Sequence, residues 1–123
     1  MLEIKQKTIK NPISFTGIGL HSGKKVKIKI LPGEADQGIT FIRTDVKNNN
    51  LIQANYQNVS SAKLCTTLEN RYGIKVSTVE HLLAAFYISG IDSATVEIDN
   101  EEIPIMDGSA KDFLEVLNDT KLK

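Results

Sequence analysis

The sequence has a single cysteine, Cys65, so no disulfide can form within the chain, and no C-x-x-C pair exists. Only two histidines are present, His21 and His81, which excludes an H-E-x-x-H motif and any self-contained His-rich metal site. No stretch approaches the ~18 apolar residues that a membrane-spanning helix needs. The opening residues, MLEIKQKTIK, lack the apolar core of a signal peptide, so a cytoplasmic location is the expectation. Charge of one sign is also missing. Fifteen basic and fifteen acidic side chains cancel, which argues against a general nucleic-acid or membrane-surface binder. Aromatics make up 6% of the chain and give no stacking platform for bases. No G-x-S-x-G elbow supports a Ser-His-Asp arrangement, although residue counts alone leave one open.

What is present is enough for one ordinary domain. The chain has 123 residues, 41% of them hydrophobic, and reads as a single domain over 1–123. KVKIKI, 25–30, alternates strictly and predicts a half-buried strand, with its lysines on the wet face. Further strands are expected over 39–43, over 63–69 and over 93–98, where Ala94, Val96 and Ile98 face one way. Ile9, Ile13 and Phe15 suggest a first strand, and Pro12 marks it as an edge or a bulge. Ile103 and Ile105 form a return strand after a turn over 99–102. A helix is predicted from Thr78 to Ser89, stopped by Gly90. Ala110, Phe113, Leu114 and Leu117 give the apolar stripe of a second, which Ser109 and Asp112 would open. The expected fold class is therefore α+β, a two-layer sandwich with a mostly antiparallel sheet and two helices packed on one face.

GIGLHSGKK, 17–25, invites a phosphate-loop reading and does not satisfy it. Gly19 and Gly23 have three residues between them, where a Walker loop has four, and Lys25 stands where Ser or Thr should follow the lysine. Glycines in a turn are explained by unusual backbone angles or by close packing.

Glu80 and His81, side by side at the start of the helix, admit two readings. Ser77-x-x-Glu80 matches a capping box, which would make Glu80 a partner for a free backbone N–H and His81 a surface residue. At ~100° per residue, however, Val79, Leu82, Leu83 and Phe86 form the core stripe, with His81 about 150° from its centre. Ala84, Ala85 and Ile88 then share His81's side, so the face opposite the core is small and apolar and expects a cover. A helix N-terminus disfavours a protonated imidazole, and a neutral one suits a metal. A neighbouring carboxylate could then take a proton from metal-bound water.

Six blocks occur in order along the chain: TGIGLHSGKKV (16–26), FIRTD (41–45), LCTTL (64–68), STVEHLLAAF (77–86), GID (90–92) and EIPIMDGSA (102–110). Through them the sequence resembles the UDP-3-O-acyl-N-acetylglucosamine deacetylases. The resemblance implies a bacterial, cytoplasmic, zinc-dependent amide hydrolase that removes an N-acetyl group in lipid A biosynthesis. It implies that His81 is a zinc ligand and Glu80 the general base. Leu64 and Cys65 would lie beside the reacting group, and His21 would have either a substrate-contacting or a structural role. Asp107 and Gly108 read as a turn and helix start, without chemistry. The family has two similar halves with the site between them. The second half supplies a further His and an Asp to the zinc, another catalytic His, and most UDP contacts. This chain corresponds to the N-terminal half, so its zinc site is incomplete, and alone it should be inactive and essentially zinc-free. The missing half, or a second copy, would cover the helix. The alternative is a non-catalytic binding or self-associating module that keeps the scaffold.

Overall fold

The computed structural model describes residues 8–19, 21–61 and 66–104. Eight strands and one α-helix are formed among them. They are β1 (Ile13–Ile18), β2 (Lys25–Pro32), β3 (Ile39–Arg43), β4 (Leu51–Gln53), β5 (Val59–Ser61), β6 (Thr67–Glu69), β7 (Lys75–Ser77), α1 (Glu80–Ser89) and β8 (Ala94–Ile98). A 3-10 turn, Tyr56–Asn58, precedes β5. The second expected helix, from Ser109 through Leu117, lies outside the described residues, as does Ile105.

Five strands form one sheet in the order β1-β2-β8-β3-β4. The alternation of β2 decides its register. Val26, Ile28 and Ile30 are fully buried, while Lys25, Lys27 and Lys29 are exposed. A one-residue slip would put the lysines into the core. β8 takes the central position, with Ala94, Val96 and Ile98 buried, antiparallel to β2 and parallel to β3. That parallel pair makes the sheet mixed, while its other three pairings are antiparallel, in keeping with a mostly antiparallel sheet. The parallel pair follows from the long connection between β3 and β8, which carries β4 to β7 and α1 and so returns the chain in the same direction.

β5, β6 and β7 form a second, antiparallel sheet that the sequence pattern did not predict. Each of its strands has three residues, too few for a period to show. Polar side chains fasten the two sheets. The Arg43 guanidinium donates to the Lys75 carbonyl at 2.8 Å and makes two bonds to Asp45, at 2.9 and 2.7 Å. The Asn70 amide donates to the Asn49 and Leu51 carbonyls. Among the described residues after β8, 99–104, none pairs with it as a hairpin partner. Glu102 instead bridges Ser77 of β7 in parallel, with Ser77 N–H donating to Glu101 and Ile103 N–H to Ser77.

One core joins the sheets and the helix. Phe41, Ile52, Leu68 and Val76 from the sheets meet Leu82, Ala85 and Phe86 of α1, all essentially buried. Each such aliphatic or aromatic side chain contributes on the order of 1.5–3 kcal/mol by leaving water. The helix ends at Gly90 in the left-handed region (φ 75°), as the sequence predicts. No helix among the described residues is long and apolar enough to cross a membrane.

Gly33, just past β2, is a glycine for a steric reason. A Cβ there would stand 2.6 Å from the backbone nitrogen of Ala94 and 2.8 Å from the Ser93 carbonyl carbon. Those atoms lead into the central strand and cannot move aside. Gly33→Ala should therefore cost roughly 1–3 kcal/mol. It should appear as a lower urea midpoint at unchanged slope; an unaltered midpoint would show that the strand yields.

Candidate functional site

The start of α1 is set by β7 and by one unusual residue. Thr78 connects them with φ 60°, a left-handed conformation that a β-branched residue rarely takes. Such strain costs on the order of 1–3 kcal/mol and persists only where surrounding contacts impose it. Here its side chain is buried, and the Thr78 hydroxyl donates to Glu102 Oε2 at 3.2 Å. The chain then passes through Val79, the N-cap, into the helix.

No capping box forms. Val79 occupies the cap position without a side-chain hydrogen bond, and Ser77 belongs to β7. Glu80 points elsewhere: its Oε2 accepts the Thr66 N–H at 2.7 Å. The carboxylate therefore reaches across to the segment just before β6. Leu64 and Cys65, two and one residues upstream of Thr66, lie outside the described residues.

The helix is rotated relative to the expected stripe. Ala85 is fully buried, whereas Leu83 is only partly so. Replacing Leu83 by Ala85 in the stripe turns its centre by roughly 40°, at ~100° per residue. Glu80 then lies about 150° from the centre and His81 about 110°. That places His81 on the flank, consistent with its half-buried state. The outward side carries Ala84, Tyr87 and Ile88, the last two 87% and 64% exposed. Ala85 does not belong to that side as expected.

His21 is not near Glu80 by any direct bond. It belongs to the glycine-rich turn between β1 and β2, and that turn wraps around Glu102. The backbone N–H of His21 donates to both carboxylate oxygens (3.1 and 2.9 Å), and that of Ser22 donates to Oε1 (3.0 Å). The His21 ring meets Oε2 through Nδ1 at 2.6 Å. The loop that resembles a phosphate cradle thus does hold an anion, and the anion is the chain's own glutamate. Gly19 is required beside it, since a Cβ there would lie 2.5 Å from both Glu102 Oε1 and the Ser22 hydroxyl.

Sequence reasoning missed Glu102. It sits in a run, EEIPI, where a charged residue before an apolar pair reads as a turn. The one signal was the glycine-rich loop itself, whose N–H groups need an acceptor. Burial pushes the Glu102 carboxyl up. The N–H groups of His21 and Ser22, the His21 ring and the Thr78 hydroxyl outweigh it and hold the group below the usual glutamate value.

A metal finds few donors here. Among the described residues no three of His, Cys, Asp and Glu lie together as ligands would. A zinc site of catalytic type takes three protein ligands. The described donors therefore do not by themselves make up a site of that kind.

Residues 6–123 match the family of UDP-3-O-acyl N-acetylglycosamine deacetylases. Among curated proteins, the chain is 46% identical over 120 residues to the UDP-3-O-acyl-N-acetylglucosamine deacetylase of Pasteurella multocida. It is 45% identical to that of Actinobacillus pleuropneumoniae and 44% to that of Shewanella baltica. Each alignment covers 98% of this chain and 39% of the relative, so the chain spans about two fifths of their length.

The Glu102 arrangement has a pH signature. The folded-state pKa lies below the unfolded value of 4.5, so between the two the unfolded chain binds more protons. Glu102's contribution is complete well above pH 4.5 and is lost as pH falls through the folded value. Urea midpoints measured from pH 6 down to about pH 3 should fall more steeply for the wild type than for Glu102→Gln. Parallel slopes would remove Glu102 from the acid response.

Proposed function

The chain belongs to the UDP-3-O-acyl N-acetylglycosamine deacetylase family, and from that premise we propose that it forms the N-terminal half of a zinc-dependent amide hydrolase. The substrate is UDP-3-O-acyl-N-acetylglucosamine, and the reaction releases its acetyl group in lipid A biosynthesis. The observation that carries this reading is the family match over residues 6–123; the sequence triplet Val79, Glu80 and His81 is what resembles the family's VEH motif.

In this reading Glu80 is the general base. Its bond from Thr66 N–H fixes the carboxylate while using one of about four acceptor sites. It can thus take the proton of the attacking water and pass it to the leaving amine. His81 gives one imidazole nitrogen to zinc. Zinc, when bound, acidifies a water and polarises the amide carbonyl. By the resemblance, Leu64 and Cys65 would lie beside the reacting group. His21 contacts the substrate. The remaining ligands, and most of the UDP contacts, come from a second half that packs over the outward face of α1.

A second reading follows from that face. Tyr87 and Ile88 are largely exposed, and two copies of the chain could bury them against each other as a non-catalytic, self-associating module. Light scattering separates the two: a dimer of the chain alone favours self-association, and a monomer that becomes a 1:1 complex with the second half favours the enzyme.

The catalytic assignment is testable by supplying the remaining portion of the Pasteurella multocida relative in trans, with zinc. Acetate release should appear, and Glu80→Gln should lower kcat by about 10²–10⁴ with KM little changed. A full rate in that variant removes Glu80 as the base. The chain alone, dialysed at micromolar concentration, should retain far less than one equivalent of zinc. Stoichiometric metal in the lone chain would require ligands from a second copy, and would contradict a single-ligand site.

A further inference from the structure

The small sheet breaks register where it meets α1. Thr67 and Ser77 are the last paired residues of β6 and β7. Ser77 gives its N–H to the Glu101 carbonyl and accepts the Ile103 N–H at its own carbonyl. The next pair in line, Thr66 with Thr78, is therefore the one due to exchange both backbone bonds across β6 and β7. That exchange does not occur. The N–H of Val79, one residue further on, donates to the Thr66 carbonyl at 3.4 Å, and the Thr66 N–H donates to the Glu80 carboxylate at 2.7 Å. Two residues, Thr78 and Val79, thus stand against one, as in a β-bulge, and bulges re-aim nearby side chains. The extra residue is Thr78, at φ 60°, in the left-handed region that glycine enters freely and a β-branched residue avoids. Its hydroxyl is tied to Glu102 Oε2 at 3.2 Å, and the residue is 4% exposed.

We propose that Thr78 is a positioning residue for Glu80. Its hydroxyl bond to Glu102 holds a left-handed backbone that an ordinary strand residue would leave. The bulge so formed puts the Glu80 carboxylate where the Thr78 carbonyl would otherwise accept the Thr66 N–H. Among the described residues this N–H gives Glu80 its one hydrogen bond, so the bulge sets the direction of the carboxylate. With Thr78 extended, the Thr66–Thr78 pair would close, and Glu80 would lose its donor. Thr78 is buried and acts only through Glu80. The catalytic meaning of that direction rests on the deacetylase reading; the bulge and its effect on the Thr66 N–H do not.

Two variants separate the backbone conformation from the hydroxyl. Thr78→Val is isosteric, keeps the aversion to a left-handed backbone and loses the bond that offsets it. Thr78→Gly loses the same bond but enters the conformation freely. In the ¹⁵N-labelled chain, the Thr66 amide of Glu80→Ala gives the reference for a lost bond. Thr78→Val should match that reference in amide shift, with exchange at Thr66 about tenfold or more faster than in the wild type, and Thr78→Gly should stay close to the wild type. In the complemented enzyme Thr78→Val should lower kcat by about ten- to a hundredfold with KM altered less than about threefold, and Thr78→Gly should recover most of that loss. A folded Thr78→Val with the wild-type Thr66 amide overturns the proposal. So does a folded Thr78→Gly that matches Glu80→Ala, because a hydroxyl needed only to satisfy Glu102 would make both variants fail alike. If Thr78→Val does not fold, Thr78→Gly decides alone. A complemented wild type that releases no acetate counts against the deacetylase reading, while the Thr66 amide tests the bulge by itself.

Discussion

A buried carboxylate must be answered by donors. Moving an ion into the interior costs several kcal/mol unless its lone pairs are satisfied. Glu102 is the point at which this fold meets that demand, and much nearby geometry follows from it. The glycine-rich turn closes on itself through Gly19 N–H to the Lys24 carbonyl, so the next N–H groups, those of His21 and Ser22, converge on one anion. Gly19 has no side chain because the carboxylate occupies the space one would fill. Thr78 accepts a left-handed backbone, a cost its hydroxyl bond to the same carboxylate helps offset. Residues 101–103 are held against β7 by backbone bonds that deliver Glu102 to this junction. Removing the charge would release several local constraints together.

Long elements with a clean period were legible in the sequence. The alternation in β2 and β8 identified the strands, their buried faces and the wet lysines, because a burial pattern of period two leaves no other reading. The helix and its Gly90 stop were legible for the same reason. β4, β5 and β7 were not, since three residues cannot display a period, and their pairing is decided by partners far along the chain. The parallel β3–β8 neighbour relation was hidden for that reason too. At the site, Glu80 and His81 stood out by their juxtaposition. The bond from Thr66 to Glu80, fourteen residues apart, lay beyond any local rule, and the capping box offered a plausible local answer that tertiary structure displaced. Glu102 was hidden most completely. Sequence reading places charged residues in water, and this one is inside.

The rotation of α1 shows how little is needed to aim two neighbouring side chains. Val79, Leu82, Ala85 and Phe86 are buried, and they alone fix which way the first turn faces. Ala85 matters through its smallness. With Ala85 buried and Leu83 only partly so, the stripe turns toward His81. Glu80 is left almost opposite the core and reaches sideways to Thr66.

Two glutamates on one short stretch of fold therefore carry opposite assignments. Glu102 is enclosed, and this unit's own donors satisfy it; its charge organises backbone and has little capacity left over. Glu80 is half-buried and, among the described residues, receives one bond, from Thr66. A group satisfied locally is a poor proton acceptor for anything else, because each bond it holds must be weakened before it can react. A group held by one bond keeps its orientation and most of its acceptor capacity. The same distinction separates the histidines. The His21 ring is bound to a buried anion and so has one nitrogen committed, whereas His81 sits on the helix flank, where its place does not depend on filling the core. Neither Glu80 nor His81 belongs to the buried core, and the Glu102 junction draws on neither.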